Sequence, residues 1–384
     1  MSARSPFGAL SPEQFLRDYW QKKPLLIKGA FSTALAAITP EELAGLAMEE
    51  DVESRLVQHD PVSKQWQLQH GPFKASTFKK LPKENYTLLV QAVDHWVPEV
   101  AALRQAYHCF PQWRFDDVMV SYAVKGGGVG PHIDQYDVFL IQGLGRRRWL
   151  VAESSITVIP NPEVSALRQI QPFEPSMDVI VEPGDVLYVP PGAPHCGTAL
   201  EPCLTYSVGF RAPSQADIVT RLAEWLVENG IDGKRYTDPD LQAVSDAALI
   251  PGQTLQKVRA LMQDLLQQPA LVERAFACLV SQTRLPLEPP EQEISVAKLK
   301  TALGKNKLLE RNDDARLAWF AGADGHVHLF ANGEELDVGA LNSNSAAFLC
   351  NQQQIDGSAL NEFVSDLAFL PALAMLVNRG VFSL

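Results

Sequence analysis

Cysteine is scarce in this chain, and what there is does not fall into pairs. The five cysteines, at 109, 196, 203, 278 and 350, are odd in number and show no C-x-x-C spacing. Neither a disulfide framework nor a cysteine-rich zinc site is signalled, and reduced cytosolic thiols are the simplest account. Long apolar runs are missing too. Nothing approaches the roughly 18 apolar residues that span a bilayer, and Met1 to Phe15 holds no apolar core of a secretory signal. A cytoplasmic protein with no membrane partner is expected. Positive charge is in deficit, with 33 Lys and Arg against 45 Asp and Glu and a net charge of -12. That balance disfavours non-specific attraction to phosphate backbones, so no direct nucleic-acid binding is expected and a basic protein is the better partner. No internal repeat or low-complexity tract is visible, which excludes solenoids and long disordered linkers.

The 384 residues are 46% hydrophobic and 20% charged, which suits a globular protein of more than one domain. Ser11-Pro12-Glu13 starts a helix carrying Phe15, Leu16 and Tyr19, and Lys23 to Ile27 reads as a strand. From Asp117 to Phe210 the texture turns to short strands: Val118 to Val124, Val138 to Gln142, Arg147 to Ala152, Val179 to Val181, Val186 to Val189 and Thr205 to Phe210. Gly and Pro punctuate them, as in a barrel or sandwich. Ser214 then caps a helix bearing Ile218, Leu222, Trp225 and Leu226, and further helices are expected at Leu255 to Leu266 and Ala270 to Val280. After the linker-like Leu285 to Pro290, a helix at Ile294 to Ala302, a hairpin at His326 to Gly333 and helices near Gly357 to Leu367 and Pro371 to Asn378 suggest a winged helix. From Glu293 onward it has seven basic residues against eleven acidic ones, which is not the footprint of a DNA binder.

Two motifs carry chemistry. In Gly130-Pro131-His132-Ile133-Asp134, strand alternation sends the His132 imidazole and the Asp134 carboxylate to one face. H-x-D alone is a weak signal. The run from Glu182 to His195 is more specific, because the turn at Pro183-Gly184, the apolar strand and the Pro191-Gly192 corner present His195 in a frame that resembles the second cupin motif. An Asn often follows that final His by four residues, where this chain has Ala199. Together the motifs complete a set of two His and one carboxylate on one face of an octahedron, leaving positions open as a non-haem Fe(II) oxygenase needs; a structural zinc site would close them. Such an enzyme binds a bidentate keto acid and dioxygen, and a buried cation must hold the far carboxylate. Gly145-Arg146-Arg147-Arg148-Trp149 offers candidates. Alternation puts Arg147 with Trp149 and Val151 on the inward face, and guanidinium matches a carboxylate with two parallel hydrogen bonds.

These residues, with Tyr19 to Leu25, Gly126 to Asp137 and Tyr206 to Pro213, resemble the JmjC-type ribosomal oxygenases, specifically the bacterial ribosomal protein arginine hydroxylases. The likeness is strongest between about residues 85 and 213 and weak after about 290. It implies an α+β protein: a double-stranded β-helix (JmjC/cupin) barrel with flanking helices over 1–212, a helical dimerisation segment over 213–288 and a winged-helix-like domain over 289–384. It also implies a homodimer that hydroxylates the β-carbon of an arginine in large-subunit ribosomal protein number sixteen, using Fe(II), 2-oxoglutarate and O2. His132, Asp134 and His195 match the family's iron ligands, Arg147 its co-substrate arginine, and Ser121 a hydroxyl that assists it. Tyr136, Asp137 and Ser207 are expected to line the target pocket. Hydroxylation of a histidine in another ribosomal protein stays open, as does a cupin-like metalloenzyme acting on a small molecule. So does a binding module in which the barrel is a relic.

Overall fold

Eleven short strands and a capping helix layer build the part of the chain that holds both motifs. The computed structural model describes residues 5–31, 37–162 and 167–384, which fall into two compact units, 1–212 and 213–384. In the first, the helix Pro12–Asp18 starts at a capping box in which Ser11 and Gln14 satisfy each other's backbone N–H groups. The strands are β1 (Leu25–Ile27), β2 (Ser54–His59), β3 (Trp66–His70), β4 (Tyr86–Val90), β5 (Phe115–Ala123), β6 (Asp137–Leu144), β7 (Arg147–Val151), β8 (Met177–Val181), β9 (Val186–Val189), β10 (His195–Ala199) and β11 (Cys203–Phe210). Eight of them form a sheet in the order β1-β9-β6-β11-β5-β4-β2-β3, and three form a smaller sheet, β10-β7-β8; all the pairings are antiparallel.

Alternation along the large sheet separates two environments. The outer face carries Val118, Val120, Phe139, Ile141, Tyr188, Tyr206 and Val208, packed with Phe7, Phe15, Tyr107 and Phe110. Phe139 alone meets Phe15, Tyr107 and Tyr188 with ring centroids 4.8–5.4 Å apart. Truncating such a ring to alanine costs about 3–5 kcal/mol, so this layer anchors the sheet. The inner face turns Val138, Leu140, Leu187 and Val189 toward Trp149 and Val151 of the small sheet. Between β5 and β11 that inner face becomes polar, carrying Asp117, Ser121, Thr205 and Ser207. A barrel whose apolar lining gives way to a polar lane is where a site belongs.

In the second unit the helix Gln215–Glu228 begins at a Ser214–Asp217 capping box. Its Leu222 and Trp225 pack with Ala275 and Cys278 of the helix Pro269–Val280 and with Phe330, so the expected helical and winged-helix segments share this core. The hairpin reverses at Asn332-Gly333, both at positive φ as a tight two-residue turn requires. The strand Val327–Ala331 also pairs with Leu317–Ala321, giving a three-stranded sheet, and Ser295 caps the helix Val296–Gly304. No helix among the described residues is long and apolar enough to cross a membrane.

Candidate metal centre and co-substrate pocket

The two motifs meet through their backbones. His132 and His195 exchange both N–H···O bonds at 3.0 Å, so the two imidazoles stand on one antiparallel bridge. The Gly192 N–H, from the Pro-Gly corner, donates to the Asp134 carbonyl at 2.7 Å and ties the second motif to the first. Gly130, at φ +79°, makes the approach possible; a Cβ there would stand 2.2 Å from the Gln169 amide. His132 occupies that single bridge and Asp134 an extended segment before β6, rather than one continuous strand.

One ligand atom from each of His132, Asp134 and His195 lies within 4.8 Å of the others. Asp134 Oδ2 is 3.5 Å from His195 Nε2 and 3.9 Å from His132 Nε2. Adjacent positions of an octahedron with bonds of about 2.1 Å are about 3 Å apart, so a small closure would seat an ion. The tautomers suit it. Each Nδ1 lies 2.9 Å from a backbone carbonyl, of Gly130 for His132 and of Ala193 for His195. A carbonyl only accepts, so each Nδ1 carries the proton and each Nε2 presents a lone pair. Burial, then the neighbouring His195, pushes His132 down to about 4, which keeps that imidazole neutral near pH 7. Burial works against the Asp134 carboxylate, yet the adjoining His195 and His132 and the hydroxyl of Tyr136 bring it below its ordinary value. The neutral His132 imidazole, the Nε2 of His195 and an ionised carboxylate are the donor set that a hard divalent cation takes.

Deeper in the barrel, Arg147 is 4% exposed, while Arg146 and Arg148 reach outward to Glu201 and Asp178. Its Nη1 donates to Ser121 Oγ at 3.3 Å and Thr205 Oγ1 at 3.4 Å, its Nη2 donates to the Gly197 carbonyl at 3.4 Å, and its Nε has no partner. The guanidinium lies 4.8 Å from the Trp149 ring centre. Gly197 permits this, because a Cβ would come 2.6 Å from the Trp149 ring and 2.8 Å from Arg147 Nε. Long bonds to neutral acceptors do not compensate a buried cation, which costs several kcal/mol when unpaired. Among the described residues no carboxylate pairs with it.

The other expected residues separate. Ser207 lies on the inner face opposite Met119 and Leu140, and half-exposed Tyr136 is within hydrogen-bonding reach of Asp134. Asp137 does not join them. It starts β6 on the outer face, fully buried, where Tyr188 Oη donates to it at 2.6 Å and Gln21 Nε2 and Arg114 Nη2 donate at 2.9 Å. The expectation that Asp137 lines the target pocket is therefore corrected: its carboxylate is saturated in the aromatic layer. The inner face instead brings Asp117, 3% exposed, into line with Met119 and Ser121. The alternation that singled out Arg147 also places Asp117 beside Ser121, a signal present in the sequence but not drawn from it.

Comparison with known proteins agrees with this architecture. Residues 102–218 match the family model of the JmjC domain, and residues 261–383 match that of the ROXA-like winged helix. The chain is 41% identical over 376 residues to the ribosomal protein uL16 3-hydroxylase of Escherichia coli, covering 95% of each. It belongs to the JmjC ribosomal oxygenases. A probable ribosomal oxygenase of Haemophilus influenzae is 33% identical, covering 94% of this chain and 89% of that one. The X-ray structure of Escherichia coli ycfD superposes with a TM-score of 0.85 at 39% identity over 98% of both chains. A structure of that ribosomal oxygenase with cobalt and 2-oxoglutarate gives 0.82 at 39% identity, again over 98% of both. This JmjC oxygenase is thus an enzyme dependent on Fe(II), 2-oxoglutarate and O2.

Proposed function

We propose that this oxygenase hydroxylates the β-carbon of an arginine in ribosomal protein uL16, with His132, Asp134 and His195 holding the iron. The observation that carries the reading is a polar lane on one barrel wall. It runs from Arg147 past Ser121 to Ser207 and Asp117, with the His-Asp-His cluster in the same barrel. Arg147, assisted by the hydroxyls of Ser121 and Thr205, takes the far carboxylate of 2-oxoglutarate, because a fixed guanidinium fork grips a carboxylate bidentately. When bound, the iron supplies activation of dioxygen coupled to oxidative decarboxylation of the keto acid. The chain contributes position and exclusion of water. Asp117 and Ser207 hold the guanidinium of the target arginine, while Met119 and Tyr136 flank its stem. The name of the Escherichia coli relative supplies uL16 and position 3; a carboxylate in the target pocket supports arginine over histidine.

A homodimer accompanies this reading. On the helix Gly252–Leu266, Leu255, Val258, Met262 and Leu266 are 43–50% exposed and repeat at helical spacing, an apolar stripe that a second copy would cover. We assign 213–288 to that contact, 289–384 to a winged-helix-like domain with too little positive charge for nucleic acid, and the protein to the cytoplasm. The experiment is incubation with Fe(II), 2-oxoglutarate and a uL16 fragment, followed by fragmentation mass spectrometry. One added oxygen on the β-carbon of an arginine is expected. Oxygen on a histidine, or succinate formed only with a small molecule, would overturn the assignment.

A further inference from the structure

Asp117 is held by a brace that crosses three strands. Gln91 follows β4, its N–H donating to the Glu53 carbonyl at 2.9 Å. Its side-chain Nε2 donates to Asp117 Oδ2 at 2.8 Å, and its Oε1 accepts from Arg55 Nη2 at 3.3 Å. Arg55 of β2 also lies 3.8 Å from the Met119 sulfur. The register explains the assembly: Arg55 pairs with Leu89, and Leu89 with Ser121, so the three form one row on the inner face, with Gln91 and Met119 next along it.

We propose that Gln91, oriented by Arg55, is a positioning residue for Asp117 and sets how tightly the oxygenase grips a cationic target side chain. This rests on the reading of Asp117 as the carboxylate that binds the target guanidinium. An amide has a donor end and an acceptor end, and an aspartate accepts from only one of them. Arginine carries donors alone, so Arg55 holds the Oε1 end of Gln91 toward β2 and leaves the NH2 end facing Asp117. Gln91 is neutral, so it fixes the carboxylate without cancelling its charge, as a lysine or arginine in that place would. Gln91 also stands between Arg55 and Asp117, keeping a second guanidinium from the carboxylate that is to receive the target's.

The test uses the full chain with Fe(II), 2-oxoglutarate and a uL16 fragment, measuring KM for the fragment and for 2-oxoglutarate separately. Gln91→Leu is expected to raise the fragment KM about tenfold, the loss of one hydrogen bond to a charged group, while the 2-oxoglutarate KM moves less than about twofold. Arg55→Met should act in the same direction and Arg55→Lys, which keeps a donor, should restore most of the affinity. In an Asp117→Asn background, Gln91→Leu should add little, because both act through one carboxylate. Should Gln91→Leu fail to fold, the contrast between Arg55→Met and Arg55→Lys decides. An unchanged fragment KM in Gln91→Leu, alongside a raised one in Asp117→Asn, overturns the brace alone. An unchanged KM in Asp117→Asn overturns the reading beneath it. Equal rises in both KM values would mean general loss of structure and also overturn the brace.

Discussion

Asp117 and Asp137 are both buried, both on the large sheet and both bound by a glutamine, yet they sit on opposite faces and do different work. Asp137 lies among aromatic rings with a tyrosine hydroxyl, an amide and a guanidinium closing around it. Asp117 faces the barrel interior with Met119, Ser121 and Ser207. The outer face spends its polar groups on holding the N-terminal segment to the sheet, since Gln21 donates to both Asp137 and, through its backbone, the Tyr188 hydroxyl. On the proposed reading, the inner face keeps its polar groups for molecules that come and go. The contrast predicts that inner substitutions alter turnover with little loss of stability, and outer ones the reverse.

The largest effect belongs to the metal cluster. His195→Ala should lower hydroxylation by about a thousandfold or more, in line with loss of an entire metal-dependent path, while the melting temperature stays close to that of the native chain. A Co(II) titration followed by absorbance should show the lost site directly. Next comes Arg147→Met, which should raise the 2-oxoglutarate KM about a hundredfold. The substitution removes an uncompensated buried cation, and replacing such a group with an apolar side chain of similar length is often neutral or stabilising. The melting temperature without 2-oxoglutarate should therefore not fall, and the rise that the native chain gains from 2-oxoglutarate should vanish. A clear drop in stability would mean that Arg147 is structural and erase the contrast.

Sequence reasoning read the inner face better than the outer. His132, Asp134 and His195 were legible because turn chemistry and ligand types coincide in two short motifs, and Arg147 because one parity rule ranks three adjacent arginines. Asp137 misled because it follows Tyr136 in a motif full of polar residues. It lies three residues after Asp134, across a bend, and the donors that receive its carboxylate come from Gln21, Arg114 and Tyr188, distant in the chain. The strand β10 escaped notice for a related reason. His195-Cys196-Gly197-Thr198-Ala199 has weak strand propensity, and its place is set by pairing with β7 and by the need for Gly197 beside Trp149. Most helices of the second unit were legible from caps and spacing, but the helix Ser343–Asn351 and the strands Leu309–Arg311 and Leu317–Ala321 were not, the strands being only three and five residues long.

A smaller effect sharpens the comparison on the inner side. Asp117→Asn keeps the shape and removes the charge, so the KM for a uL16 fragment should rise about tenfold or more, with thermal unfolding nearly unchanged. The same substitution should narrow the preference for a fragment carrying arginine over one carrying citrulline, an isostere without the charge.

The effect on turnover is smallest on the outer side, where the change appears instead in stability as a function of pH. Burial is the largest influence on Asp137 and raises its pKa; the hydrogen bonds from Tyr188 and Gln21 and the charge of Arg114 oppose it without cancelling it. A carboxyl whose pKa is higher folded than unfolded binds more protons in the native state, so stability falls as pH rises between the two values. The window opens near the ordinary carboxylate value, about 3.9, and closes above the raised folded one. Asp137→Asn cannot titrate. Subtracting its urea unfolding free energy from that of the native chain at each pH cancels the other carboxyls, and the difference should decline with rising pH across that window. Asp137→Ala, which leaves Tyr188, Gln21 and Arg114 without their shared acceptor, should cost about 3 kcal/mol at neutral pH, while KM for both substrates stays near native. A flat difference curve would show that the partners of Asp137 match its burial after all, and a change in fragment KM would return it to the target pocket.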